Sequence, residues 1–276
     1  METLILSVVL MSYFGATAIW LAYLLIQQER LYRYGVWVMG GGWMLHTLNL
    51  ILAVMEQGYF PGASLGQALR LFSWTLVGTF LFLTWRHPIR VLGTLVAPLA
   101  ALTLTGSLIL PQPGPVAPLL QSLWLSFHIA TALLGNATFT LAFMGGILYL
   151  VQEHQLKSKK FGFFYRRLPS LEALDALNYY CLTIGFPLLT AGIITGSIYA
   201  QYTLGSFWRW DPKETLTLIA WLIYAALLHE RLAVGWRGRR AALMAIIGFL
   251  VLVVTFVGAN LWLQGYHSFE SFVRQP

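Results

Sequence analysis

The chain has 276 residues, of which 58% are hydrophobic and only 10% charged. Soluble domains run at about 45–50% apolar and about 25% charged, so a soluble fold could not enclose this much apolar side chain. At about 20 apolar residues per span, the length accommodates eight or nine membrane helices and no large soluble domain. The single cysteine, Cys181, excludes a disulfide framework, a Cys-X-X-Cys pair and a thiolate metal cluster.

Taken in chain order, apolar runs between polar breaks predict eight helices near residues 3–27, 35–56, 67–86, 89–109, 121–152, 177–203, 213–230 and 241–264. The opening stretch has neither a basic n-region nor a small-residue cleavage site and reads as a retained first span. No repeat stands out, so residues 1–276 are expected to form a single integral membrane domain, an all-α bundle. Of the seventeen Lys and Arg, all but Arg70, Arg209, Lys213 and Arg274 fall in alternate connections. The positive-inside rule puts those connections in the cytoplasm and both termini outside. The net charge of +7 therefore reports topology in a lipid bilayer, and no nucleic-acid partner is expected. The longest cytoplasmic connection, 153–175, is basic at first and then turns amphipathic, which predicts a solvated loop with an interfacial helix.

Four of the six histidines are informative on this topology. His46 lies about eleven residues into the second helix, roughly 16 Å deep at 1.5 Å per residue, on a face reading Met39, Gly42, His46, Asn49, Ala53. His229 sits near the inner end of the seventh helix, on a face with Glu214, Leu218, Trp221 and Ala225. His128 falls near the outer end of the fifth helix and His267 just beyond the outer end of the eighth. Each alone reads as a hydrogen-bonded packing residue, but four histidines as two pairs at two depths point to function. Neutral imidazole is a standard axial ligand of haem iron, and the chain has no His-Glu-X-X-His motif.

The outer loop 202–214 contains Gly205-Ser-Phe-Trp-Arg-Trp-Asp-Pro-Lys-Glu. Asp211 as N-cap, Pro212 at the first helical position and Glu214 closing a capping box need only a helix start there. Phe207, Trp208 and Trp210 with Arg209 and Lys213 offer, in addition, a flat apolar platform edged by cations. Such a platform suits a porphyrin, whose faces stack on rings and whose propionates need positive partners.

This segment, with Ala220-Trp-Leu-Ile-Tyr and His229 after it, resembles the tryptophan-rich WWD signature of the haem-handling protein superfamily. Within it the chain is most similar to the CcsA (ResC) type of system II cytochrome c biogenesis. Phe127-His-Ile-Ala, Leu168-Pro-Ser-Leu-Glu-Ala-Leu-Asp, Gly185-Phe-Pro-Leu-Leu-Thr and the ending Gly265-Tyr-His-Ser-Phe follow the pattern in order over about residues 120–270. The chain departs from it at Tyr199-Ala, at Leu204-Gly and at Ala63-Ser-Leu-Gly-Gln. The resemblance implies that His128 and His267 are axial ligands of haem b at an outer site beneath the tryptophan loop. It also implies that His229 belongs to an inner haem site, completed by His46 or by a partner subunit.

The expectation is therefore a multi-pass protein of the bacterial inner (cytoplasmic) membrane that presents haem for attachment to apocytochrome c. It would act as a subunit of a holocytochrome c synthase with a CcsB/ResB-type membrane partner. The rival is a HemX-like membrane regulator of tetrapyrrole synthesis without synthase activity. A third reading, an ion-coupled transporter with the buried histidines as relays, leaves the tryptophan loop unexplained.

Overall fold

The computed structural model describes residues 2–86, 89–111, 122–159 and 162–258. The described residues are predominantly helical, with no strand among them. The helices are α1 (Glu2–Ile26), α2 (Glu29–Gln57), α3 (Leu65–Arg86), α4 (Gly93–Ile109), α5 (Leu123–Lys157), α6 (Phe163–Arg167), α7 (Leu171–Leu204), α8 (Pro212–His229) and α9 (Arg239–Val253). A π-helical turn extends α8 over Glu230–Val234 and another extends α9 over Val254–Gly258. Eight of the helices, with α6 the exception, are long and apolar enough to cross a membrane. The protein is a multi-pass membrane protein.

Two sets of helices are visible in the packing. In the first, α1 lies against α2 and α4, and α3 against α4; in the second, α5 packs on α7 and α9, and α8 on α9 and α7. Contact of α3 with α5 joins the sets. The buried face of α1 shows how the pattern arises: Leu6, Val9, Tyr13, Ala16, Trp20 and Tyr23 recur every three or four residues, one stripe of a helix of 3.6 residues per turn. Lipid can wet the remainder of an all-apolar helix, so only this stripe chooses a protein neighbour.

The structure corrects the expected 153–175 connection. Helix α5 continues to Lys157, where Glu153 pairs with Lys157 one turn on, at 2.8 Å, and with Arg239, at 3.5 Å. Helix α7 already starts at Leu171, because the Ser170 side chain caps it by accepting from the Ala173 backbone N–H at 3.2 Å. The amphipathic Leu-Glu-Ala-Leu-Asp segment is thus the first turn of a spanning helix. Arg167, from the five-residue α6, donates to the Leu24 and Leu25 carbonyls at 2.7 and 2.8 Å. This satisfies acceptors at the end of α1 that its own helix leaves orphaned.

Candidate functional site

The end of the bundle bearing the basic connections is called inner below, and the opposite end outer. Near the outer end of α5, His128, Ala132 and Asn136 follow one another at four-residue spacing and turn toward α7. Nδ1 of His128 lies 2.7 Å from the Gly192 carbonyl oxygen. A carbonyl can only accept, so Nδ1 carries the proton and the lone pair of the neutral ring sits on Nε2. This is the tautomer-fixing arrangement found behind histidines that ligate metals, in which the second nitrogen donates to a carbonyl or carboxylate. The contact requires a bare backbone on α7. A Cβ at Gly196 would fall 2.7 Å from Cε1 and Nδ1 of His128, closer than such atoms approach.

The tryptophan loop is held by its own polar groups. Helix α7 ends on Gly205 in the left-handed conformation (φ +72°). Ser206 Oγ donates to the Trp208 carbonyl at 2.9 Å, and the Arg209 backbone N–H donates to Glu214 Oε2 at 2.8 Å. The Arg209 guanidinium donates to the Leu204 carbonyl. Asp211 caps α8 by accepting from the backbone N–H of Lys213 and Glu214, and Glu214 returns the bond to the Asp211 N–H, which completes the capping box. Trp210, between these anchors, has φ +59°, a conformation that costs a bulky residue about 1–3 kcal/mol and is found at functional sites. Trp208 and Trp210 meet edge to face, centroids 6.1 Å apart. The result divides the aromatics. Trp208 is half-buried and faces a cavity, whereas Phe207 and Trp210 are 59% and 71% exposed.

That cavity has a volume of about 120 Å³ and is lined among others by His128, Asn136, Gly192, Gly196, Trp208 and Lys213. Trp208 Nε1 and Asn136 Oδ1 are buried in its wall without a protein partner. An imidazole with a fixed tautomer, an indole donor and an ammonium group, in a chamber that also carries Asn136, Glu214 and three hydroxyls, can hold a flat ligand with a metal centre and an anionic edge. The donor set suits haem: His128 could ligate the iron, with Lys213 and the Trp208 N–H as partners for a propionate.

Of the residues expected from sequence, the structure brings His128, Trp208 and Lys213 together. Arg209 and Asp211 are engaged in shaping the loop. His267 lies outside the described residues. His46 and His229 stand apart from this cavity and from each other. His46, fully buried, hydrogen-bonds through Nδ1 with Tyr13 Oη of α1 at 3.2 Å. Below it in the sequence, Arg70 donates to Glu2 at 2.7 Å and to Asn49, a polar knot among α1, α2 and α3. His229, by contrast, ends α8 at the inner side and is exposed, in line with Ile219, Leu222 and Ala226 at spacings of three and four. Sequence reasoning missed Asn136, Gly192 and Gly196. The signals were there: Asn136 is two turns from His128 on one face, and Gly192 and Gly196 are one turn apart in a spanning helix, the small-residue spacing that permits close helix contact.

Comparison with known proteins places this geometry. The family described as Cytochrome C assembly protein matches residues 63–267. The cytochrome c biogenesis protein CcsA of Guillardia theta is 36% identical over 245 residues, which cover 81% of this chain and 81% of that one. The corresponding protein of Chlamydomonas reinhardtii is 35% identical over 85% of this chain and 68% of its own, and that of Synechococcus sp. (strain CC9902) 34% identical over 83% and 84%. Among solved structures, Cytochrome c Heme Lyase CcmF superposes on 94% of this chain with a TM-score of 0.63 at 15% identity, a likeness of fold. The chain spans about half the length of that protein, 50%. With a family match over most of its length and relatives above one-third identity, the chain belongs to the cytochrome c assembly protein family and is of the CcsA type.

Proposed function

We propose that this protein holds haem in the outer cavity and presents it for attachment to apocytochrome c, as a subunit of a holocytochrome c synthase. One observation carries the reading: His128 donates its Nδ1–H to the Gly192 carbonyl inside a cavity under the tryptophan loop. Bound haem supplies the iron that an imidazole ligates and the vinyl groups to which substrate thiols add. The chain supplies position. Gly192 and Gly196 fix the plane of the His128 imidazole, which would hold the iron, and Trp208 and Lys213 would orient the anionic edge. The exposed Phe207 and Trp210 give an apolar rim against which a substrate segment can rest. Such positioning is where a synthase of this kind would gain rate. His267, carried over from the resemblance, is the second axial ligand in this proposal. The extensive identity with CcsA proteins supports it over a HemX-like regulatory role.

For the inner haem, we assign the ligand opposite His229 to a partner subunit of the CcsB type. The exposed stripe Ile219, Leu222, Ala226, His229 supports a helix docking from outside, whereas His46 is fully buried in the other helix set, bonded through Nδ1 to Tyr13. The test is purification from haem-replete cells, a visible spectrum and a pyridine haemochrome assay. The expected result is b-type haem, reduced in His128→Ala and partly restored by added imidazole. A colourless protein unable to take up haemin would overturn the proposal.

A further inference from the structure

The four helices that build the outer cavity enclose a second one nearer their inner ends, of about 10 Å³, the room of a single water. The two are stacked along the bundle. On α5 the outer lining ends at Asn136 and the inner begins at Phe139; on α7 the corresponding residues are Leu189 and Leu182, on α8 Thr217 and Tyr224, on α9 Leu252 and Ala245. Between the cavities lie the rings of Phe139 and Tyr224, stacked with centroids 3.6 Å apart and planes 8° from parallel. The rings press directly on neighbouring backbone. A Cβ on Gly185 would come within 2.9 Å of the Phe139 ring, and one on Gly248 within 2.8 Å of the Tyr224 ring.

On the inner side of that stack the chemistry changes. Asn178 and Tyr224 line the inner cavity and are only 5% and 1% exposed. Their three polar atoms, Asn178 Oδ1 and Nδ2 and Tyr224 Oη, have no protein partner. Arg231 at the cavity edge is committed to Asp175, at 3.0 and 2.7 Å, and Asp175 in turn accepts from the Gly238 N–H at 2.7 Å. Charge there is balanced, so a bound ion would find no counter-charge. Unpaired polar atoms at membrane depth are costly, and buried ones are normally satisfied by protein or by ordered water. A buried water needs two to four polar partners, and one donor, one acceptor and one hydroxyl supply three.

We propose that the inner cavity is a water site, with water held between the Asn178 amide and the Tyr224 hydroxyl. The site is a neutral hydrogen-bonding pocket separate from the outer cavity, and it does not depend on haem. Radiolytic hydroxyl labelling of the full-length protein in detergent tests it, since radicals born from bound water mark the side chains beside it. Tyr224 should be labelled several-fold faster than Phe80, an equally buried aromatic of the apolar α1–α4 core. Asn178→Leu should bring Tyr224 down to the rate of Phe80. Labelling of Tyr224 no faster than Phe80, or labelling untouched by Asn178→Leu, would overturn the proposal. Should Asn178→Leu not fold, the comparison within the wild-type protein decides alone.

Discussion

Gly196→Ala separates stability from ligand binding in a way that few substitutions here can. Position 196 is inside α7, where alanine is favoured over glycine by about 1 kcal/mol. On helix propensity alone the apoprotein should gain stability. The new methyl carbon, however, would sit 2.7 Å from Cε1 and Nδ1 of His128. The imidazole must turn away and give up its 2.7 Å bond to the Gly192 carbonyl. Losing such an orienting partner behind a metal ligand costs about 10–100-fold in affinity, which is about 1.4–2.8 kcal/mol at 1.4 kcal/mol per decade. The assay is haemin titration of purified apoprotein followed at the Soret band, alongside thermal unfolding without haem. The expected outcome is weaker haem binding with an apoprotein Tm close to wild type, because the ~1 kcal/mol helix gain offsets the ~1 kcal/mol lost with the hydrogen bond. Gly192→Ala is the control, because a Cβ there meets Ala132 at 3.4 Å, an ordinary contact. If Gly196→Ala binds haem as tightly as wild type with an unchanged spectrum, His128 is not the ligand held by α7.

Single cysteines at Ser206 and Ser158 should be labelled by impermeant thiol reagents from the outer and inner faces respectively; the opposite pattern would invert the orientation read from the basic residues. Asp211→Ala removes the side-chain acceptor of two backbone N–H groups at the start of α8 and should cost about 1 kcal/mol, read as a lower Tm with faster haem loss. Asp175→Ala leaves Arg231, whose side chain is 8% exposed, without its carboxylate and should destabilise by about 3–5 kcal/mol. Lys157→Ala, which breaks only the one-turn pair with Glu153 on the surface, should cost about 0.3–0.5 kcal/mol. Equal Tm changes for these last two would refute the ranking by burial.

Most of the architecture was legible because lipid makes the periodic signal simple: a span is a long apolar run, and its inward face is where polar and small residues gather. His46 and Asn49, predicted to face inward, are both fully buried, and the capping box at Asp211–Glu214 is present as its residue pattern implied. What failed to show is what depends on distance between helices. Depth along a helix can be counted from sequence, but azimuth relative to another helix cannot. His46 and His229 therefore looked like a pair although they lie in different packing sets. The helical extension over 153–175 was hidden for another reason. Its polar residues read as loop composition, yet Glu153 and Lys157 are spaced to pair along a helix and Ser170 is placed to start one. Asn136 was overlooked because one amide in a long span carries no motif; its meaning comes from sharing a face with His128.

The division of labour between the two helix sets explains why the site sits where it does. Every described residue lining the outer cavity belongs to α5, α7, α8, the extended end of α9 or the loop before α8. None comes from α1–α4. The first set instead ties itself together with buried polar bonds, Arg70 to Glu2 and Asn49, and His46 to Tyr13. Such bonds hold a fixed register once formed, because removing either partner strands a polar group away from water. The contact of α3 with α5 passes that rigidity to the helix carrying His128. Helix α5 is then held on one side by α3 and on the other by close contact with α7, where Gly192 and Gly196 receive the imidazole. The His128 imidazole is thereby held between α5 and α7, while the aromatic residues Phe207 and Trp210, on a loop anchored at both ends by its own polar groups, remain exposed at the outer end.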